Sequence, residues 1–199
     1  MEEKRIKEIG EMFMTYGVRS VSMDDIAKHL GISKKTLYQH FKDKNELVEK
    51  VTKSVIAERE SEYEAVTNQA NNAIEELYLM SKCLRTHIEA LNPSLVFDLK
   101  KFHAEAWELF LDFEHITVYE SIKDNLKRGK EEGFFRTEIN TNILAKLRVE
   151  QVHMSFDPHA FPKDEFDFTQ VHMQMFEHYV YGLLTTKGFK LFEKYKQEN

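Results

Sequence analysis

Between Gly31 and Pro93 the chain contains neither glycine nor proline, and only 7 Gly and 3 Pro occur in all 199 residues. These two residues disrupt helix interiors more than any others, so their scarcity points to sustained helix. Hydrophobic residues make up 42% of the chain and aromatics 12%, ample for the core of one large domain or of a small domain on a larger one.

Apolar spacing locates the helices. Ile6, Ile9, Met12 and Phe13 recur at three- and four-residue steps and make one stripe. Gly10 interrupts that helix, which suggests a closely packed neighbour, and Gly17 suits its left-handed stop. Ser22 is a good N-cap, with Asp24 and Asp25 beside the positive helix end. Ile26, Ala27 and Leu30 face inward until Gly31 ends the second helix. Ile32 points inward and Ser33 caps a third helix through Leu37 and Tyr38. Two short helices joined by a glycine turn form a helix-turn-helix. A fourth helix, capped by Asp43, carries Leu47, Val48, Val51 and Val55 to about Val66. The polar run Asn68 to Asn72 reads as a hinge, unless the fourth helix itself bridges two parts.

Further on, a helix through Ile74, Leu77, Tyr78, Leu84 and Ile88 stops at Asn92-Pro93, and a shorter one covers residues 93–102. A long helix over residues 104–132 is apolar nearly all round in its first half, which predicts burial there and exposure of its charged second half. Gly133 ends it. The next helix starts at Thr141–Asn142 and breaks at Asp157-Pro158. A last long helix spans residues 167–187, with Gly188 as its cap and a short tail helix after it. The last two long helices carry more apolar surface than one core needs, which predicts a symmetric dimer, and Gly182 would allow close backbone approach. A thicker monomer core is the alternative.

Charge is uneven. Residues 1–50 hold ten basic and nine acidic side chains, a net +1, whereas residues 51–199 hold 18 and 25, a net −7. Between Lys28 and Lys44 there are five lysines and one acid, Asp43. Such a basic island on an acidic body restricts any polyanion contact to the island. Cys83 is the only cysteine, which excludes an intrachain disulfide framework and reads as a small buried hydrophobe. No apolar run reaches the length of a membrane span, and the charged start, MEEKRIKEIGEMF, does not resemble a signal peptide. A soluble cytoplasmic protein is the expectation.

A helix-turn-helix reads DNA with the outer, N-terminal residues of its second helix. The candidates here are Ser33, Lys34, Lys35, Thr36 and Tyr38, with His40 toward the far end. Lys44 would reach the phosphate backbone from the next helix, and Ser22 and Met23 from the front of the second one. Composition and periodicity support a plain helical hairpin with exposed lysines equally well. The segment Ile6–Leu47 nevertheless resembles the DNA-binding domain of the TetR family of transcriptional regulators. The resemblance rests on Met23-Asp24-Asp25-Ile26-Ala27, Leu30-Gly31-Ile32-Ser33, Thr36-Leu37-Tyr38, His40-Phe41, Lys44 and Leu47. It covers about a quarter of the chain, and Glu132-Gly133-Phe134-Phe135-Arg136 is similar to the family's approach to its dimer helices. Lys35 stands where many members have glycine.

The resemblance implies an all-α fold, with an N-terminal three-helix helix-turn-helix DNA-binding domain at residues 1–47 and a larger helical effector-binding and dimerisation domain at 48–199. It also implies a homodimer through the last two long helices, a double-stranded DNA operator, and a largely apolar small-molecule effector whose binding releases a repressor. Tyr78, Phe102, His103, Trp107, Phe110 and Tyr119 are candidates to line the effector cavity, although such aromatic stripes equally form simple core. No nucleophile–base motif, phosphate loop, cofactor motif or complete metal motif appears, so neither catalysis nor a cofactor is expected. The competing reading is a carboxylate metalloprotein or enzyme using Glu150 and His153, a Glu-x-x-His pair whose second copy is missing apart from Asp112 with His115.

Overall fold

The computed structural model describes residues 2–198, so Met1 and Asn199, the outer limits of the two predicted domains, lie outside the described residues. Among the described residues the secondary structure is helical, in the order α1 (Glu2–Tyr16), α2 (Met23–His29), α3 (Lys34–His40), α4 (Lys44–Gln69), α5 (Ala73–Ala90), α6 (Ser94–Phe102), α7 (Ala104–Asp112), a π-helical segment (Phe113–Val118), α8 (Tyr119–Glu131), α9 (Thr141–Ser155), α10 (Phe168–Leu183) and α11 (Thr186–Glu198). The chain forms two compact units. Among the described residues one comprises 2–60 and 90–113, and the other 61–89 and 114–198.

In the first unit the predicted stops hold. Gly17 and Gly31 have φ of 79° and 64°, left-handed values that glycine adopts without steric cost. Ile9, Phe13, Val18, Ile26, Leu37, Leu47 and Val48 form the buried centre, and Gly10 lets α4 approach, since a methyl there would touch Val51 at 3.5 Å. The sequence boundary at residue 47 therefore cuts through a helix whose first turns are core. This unit also takes in a later part of the chain: Leu99 and Ala106 join the same core, with Leu95 and Trp107 packed against it.

In the second unit Ile74, Leu126, Phe135, Ala145, Val180 and Leu183 are buried in one cluster. Phe135 is fully buried because Gly129 has no side chain; a methyl there would lie 2.1 Å from its ring. An isolated antiparallel bridge pairs Phe135 with Leu184 and fixes the loop after α8 against the end of α10.

The expectation for the long helix holds only in part. In its apolar half Ala106 and Phe113 are buried, but Trp107, Leu109, Phe110 and Leu111 are half-buried and Ile116 is 63% exposed. Its charged half supplies the buried Asn125, Leu126 and Gly129. The reason is that the charges are absorbed locally. Arg128 reaches the buried Glu76 at 3.2 Å, Glu132 at 2.9 Å and the Ala70 carbonyl at 3.0 Å, while Lys130 donates to the Ile139 carbonyl. Burial pushes the Glu76 carboxyl up, and hydrogen bonds with Asn125 and the Arg128 cation offset part of that. A π-helical step also interrupts the helix at residues 113–118. Gly188 is a second correction. It does not cap α10, which ends at Leu183, but lies inside α11, where a methyl would sit 2.3 Å from the Phe134 carbonyl oxygen.

Candidate nucleic-acid interface

The helix-turn-helix is held at both of its helix starts by side-chain caps. Ser22 and Asp25 form a reciprocal capping box: the Asp25 N–H donates to the Ser22 hydroxyl at 3.2 Å, and Asp25 Oδ2 accepts from the Ser22 N–H at 2.9 Å and its hydroxyl at 2.5 Å. Those two donors hold the Asp25 carboxyl below the usual carboxylate range. At α3, Ser33 accepts from the Thr36 N–H at 3.0 Å, and the two hydroxyls are 2.8 Å apart.

Leu37 turns the other face of α3 into the core. That orientation leaves Lys34, Lys35, Tyr38 and His40 exposed, with Tyr38 44% exposed despite its aromatic ring. Lys34, Lys35 and Tyr38 are neighbours at three- and four-residue spacing, so they share one outward surface near the positive end of the helix. Lys34 also pairs with Asp24 at 2.7 Å, linking the starts of α2 and α3.

Three of the sequence candidates occupy different positions from those expected. The Met23 side chain is buried in the core, so it does not project toward DNA. Lys44 is half-buried, and its ammonium donates to the carbonyls of Val18 and Val21 at 2.6 Å each. Burial pushes this lysine below its usual pKa, with Asp98 and Asp25 opposing the shift. Two of its three N–H bonds thus pin the α1–α2 loop, leaving one for a phosphate. His103, a candidate for the effector cavity, sits in this unit with Nδ1 2.8 Å from Asn45 Oδ1.

Sequence reading missed the brace for this loop because it comes from 79 residues further along. The buried Asp98 of α6 accepts from the Arg19 N–H at 3.0 Å. Asn92 donates twice at the end of α1, its backbone N–H to the Met14 carbonyl at 2.8 Å and its side-chain amide to the Thr15 carbonyl at 3.2 Å. No local pattern marks either residue.

The remaining candidates divide between the units. Phe102, His103, Trp107 and Phe110 belong to the first, where Trp107 stacks on Phe110 at 5.5 Å and Phe102 lies under the Arg19 guanidinium at 5.3 Å. Tyr78 and Tyr119 belong to the second; Tyr78 stacks on Tyr195 at 5.8 Å, and the Tyr119 hydroxyl is 3.4 Å from Asn142 Oδ1. Glu150 and His153 do not converge: Glu150 pairs with Lys146 at 2.7 Å, and the imidazole bonds Glu114. Among the described residues no three His, Cys, Asp or Glu side chains cluster to hold a metal.

An all-helical chain with an exposed, basic recognition helix in a capped helix-turn-helix defines a DNA-binding regulator. Residues 7–51 match the model of the bacterial regulatory proteins of the tetR family. Over 153 residues the chain is 31% identical to an uncharacterized HTH-type transcriptional regulator, YvaF, of Bacillus subtilis, covering 76% of this chain and 80% of that one. An HTH-type transcriptional regulator of Staphylococcus aureus is 29% identical over 166 residues, 77% of this chain and 85% of its own length. In fold, the chain matches a putative transcriptional regulator from Saccharomonospora viridis in complex with choline (TM-score 0.74, 17% identity, 92% and 98% of the two chains). It also matches the regulator FadR of Bacillus subtilis in complex with stearoyl-CoA (TM-score 0.68, 15% identity, 92% and 99%). The protein belongs to the TetR family of transcriptional regulators, and it is not an enzyme. Among the described residues no helix is long and apolar enough to cross a membrane.

Proposed function

We propose that the protein is a dimeric, cytoplasmic repressor that leaves its operator when a small molecule binds its body. The observation that carries this reading is the exposed α3 surface of Lys34, Lys35 and Tyr38 above a capped, braced scaffold. The helix-turn-helix within residues 1–47 acts as the DNA-binding domain, its core completed by the start of α4 and by residues 90–113, and the rest of 48–199 acts as the effector-binding and dimerisation domain. Ser33, Lys34, Lys35, Thr36 and Tyr38 address base edges and nearby phosphates, while His40, Lys44, Ser22 and the backbone at Met23 hold the phosphates on either side.

Dimerisation through α9 and α10 is supported by the side chains these helices leave uncovered. Ile143, Leu147 and Met154 are 62%, 47% and 46% exposed, and their four- and seven-residue spacing puts them in one stripe. A contiguous apolar stripe of this kind marks an interaction surface. Gly182 on α10 has nothing within 4 Å of where a methyl would stand, leaving room for a close approach. Two heads at fixed spacing match a near-palindrome one helical turn apart, so a small change in spacing weakens both half-sites together. That small molecules are bound by two proteins of this fold, one with choline and one with stearoyl-CoA, supports the effector part of the reading.

Selection of bound fragments from a genomic DNA pool is the direct test. A palindromic consensus is expected, bound by a species of twice the chain mass in light scattering. Leu147→Glu should give monomers and lose the operator. Recovery of no consensus, or a monomer that binds a single asymmetric site, would sink the proposal.

A further inference from the structure

The seam between α9 and α10 in the second unit holds a group of buried polar atoms for which the protein supplies no counterpart. Arg148 is 6% exposed, and its guanidinium lies over the rings of Phe176 at 5.2 Å and Tyr179 at 5.8 Å. Among the described residues, the groups that bear favourably on its charge are the phenols of Tyr179 and Tyr63, and no carboxylate pairs with it. An unpaired buried cation is costly, and even cation–π contacts return only part of its lost hydration. The Tyr179 hydroxyl, the Gln151 carbonyl oxygen Oε1 and His172 Nδ1 are likewise buried without hydrogen-bond partners.

These atoms belong together. Arg148, Gln151 and Ser155 follow at three- and four-residue steps on α9, and His172, Phe176 and Tyr179 do so on α10. The two rows face each other antiparallel: Arg148 meets Phe176 and Tyr179 at one end, and Ser155 Oγ is 3.2 Å from His172 Nε2 at the other. Ser155 donates its own proton to the Val152 carbonyl, so it accepts from His172 Nε2–H. That makes Nδ1 an acceptor in a neutral ring. Burial and Arg148 together push this histidine down to about 4, consistent with neutrality. Phe156 and Phe168 stand edge-on to it at 5.2 and 5.1 Å.

We propose that this seam is the effector site and that its ligand is an amphipathic organic acid, with a carboxylate for Arg148 and Tyr179, an apolar body against Phe176, Phe156 and Phe168, and a hydroxyl or N–H donor for His172 and Gln151. The proposal rests on the effector-release reading above and narrows its largely apolar ligand to one with an acidic head. Arg148 offers only donors, with the Tyr179 hydroxyl free to donate beside it, whereas Gln151 Oε1 and His172 Nδ1 offer only acceptors, so the ligand must be polar in two distinct ways. Buried groups left unpaired by the wrong ligand are what would enforce the choice.

The test uses the full-length protein and three probes of one chain length: 10-hydroxydecanoate, whose hydroxyl can span the about 10 Å of seven helical residues from Arg148 to His172, decanoate and decanamide. Calorimetry should show decanoate binding roughly tenfold or more tightly than decanamide, and the 10-hydroxy acid several-fold tighter again. Tyr179→Phe, which keeps the ring, should weaken the acids about fivefold or more and leave the amide nearly unchanged. Arg148→Met should abolish the preference for acid over amide. Equal binding of acid and amide to the unmodified protein, no binding of either acid, or an undiminished preference in both variants would overturn the proposal. A gel shift separates the two readings. Acid that binds with this preference but does not release operator leaves the site standing and ends the effector-release reading. Operator released equally by the amide does the reverse.

Discussion

The loop beneath the recognition helix and the α9–α10 seam both bury charged or polar groups, yet they treat them in opposite ways. Under the helix-turn-helix Lys44 holds two carbonyls, Asp98 takes the Arg19 N–H, and His103 meets Asn45. In the seam Arg148 lacks a carboxylate, and Tyr179, Gln151 and His172 each keep an unpartnered atom. A satisfied polar network rigidifies, as suits a head that must present side chains in fixed register to DNA. Unsatisfied groups cost stability, and proteins keep them where binding makes use of them.

The comparison can be broken most severely at Lys44. Replacing it with Met fills the space but leaves the Val21 carbonyl unpaired and the Val18 carbonyl with only the Val21 N–H at 3.3 Å, which should cost roughly 2 kcal/mol in urea unfolding. A loss close to zero would mean that the pinned loop is not a rigid network. At the seam, His172 has its folded pKa depressed to about 4 against about 6.5 when unfolded. Above pH 6.5 neither state carries the proton and its contribution is complete. As pH falls from 6.5 toward 4 only the unfolded chain takes up the proton, so stability should decline with a slope of about one proton per molecule. His172→Asn should flatten that slope relative to the unmodified protein; an unchanged slope would show that the ring is not held neutral.

Smaller effects refine the head. Ser22→Ala removes half of the capping box and should lower stability by about 1 kcal/mol, read by thermal denaturation. Lys35→Ala should leave stability within about 0.5 kcal/mol, because the side chain is exposed, yet reduce the slope of log affinity against log salt by about 1 on a confirmed operator. An unchanged slope would remove Lys35 from the phosphate or base contacts. Tyr38→Ala is the companion variant, expected to weaken binding with little change in that slope.

Much of the head was legible in the chain itself. Gly17 and Gly31 as stops, Ser22 and Ser33 as caps, and Leu37 against Tyr38 as inside and outside all follow from spacing and residue type. Each depends on residues three or four apart, the distance over which helix geometry is local. The second unit was legible in its helix positions and misread in its burial. Hydropathy placed Trp107 to Tyr119 inside and Lys123 to Glu132 outside, because an isolated helix gives no sign that Arg128 will find Glu76, Glu132 and the Ala70 carbonyl.

Residue order alone thus determined the all-helical class, the helix-turn-helix and the basic island between Lys28 and Lys44, since these depend on backbone propensity and short-range spacing. Tertiary structure decided which groups are satisfied. It brought Asp98 to Arg19 across 79 positions and closed α6 onto the head. It also laid Arg148 against Phe176 and Tyr179 with no acid beside it. Whether a buried charge finds a partner depends on distant chain meeting in space, and no local pattern encodes that.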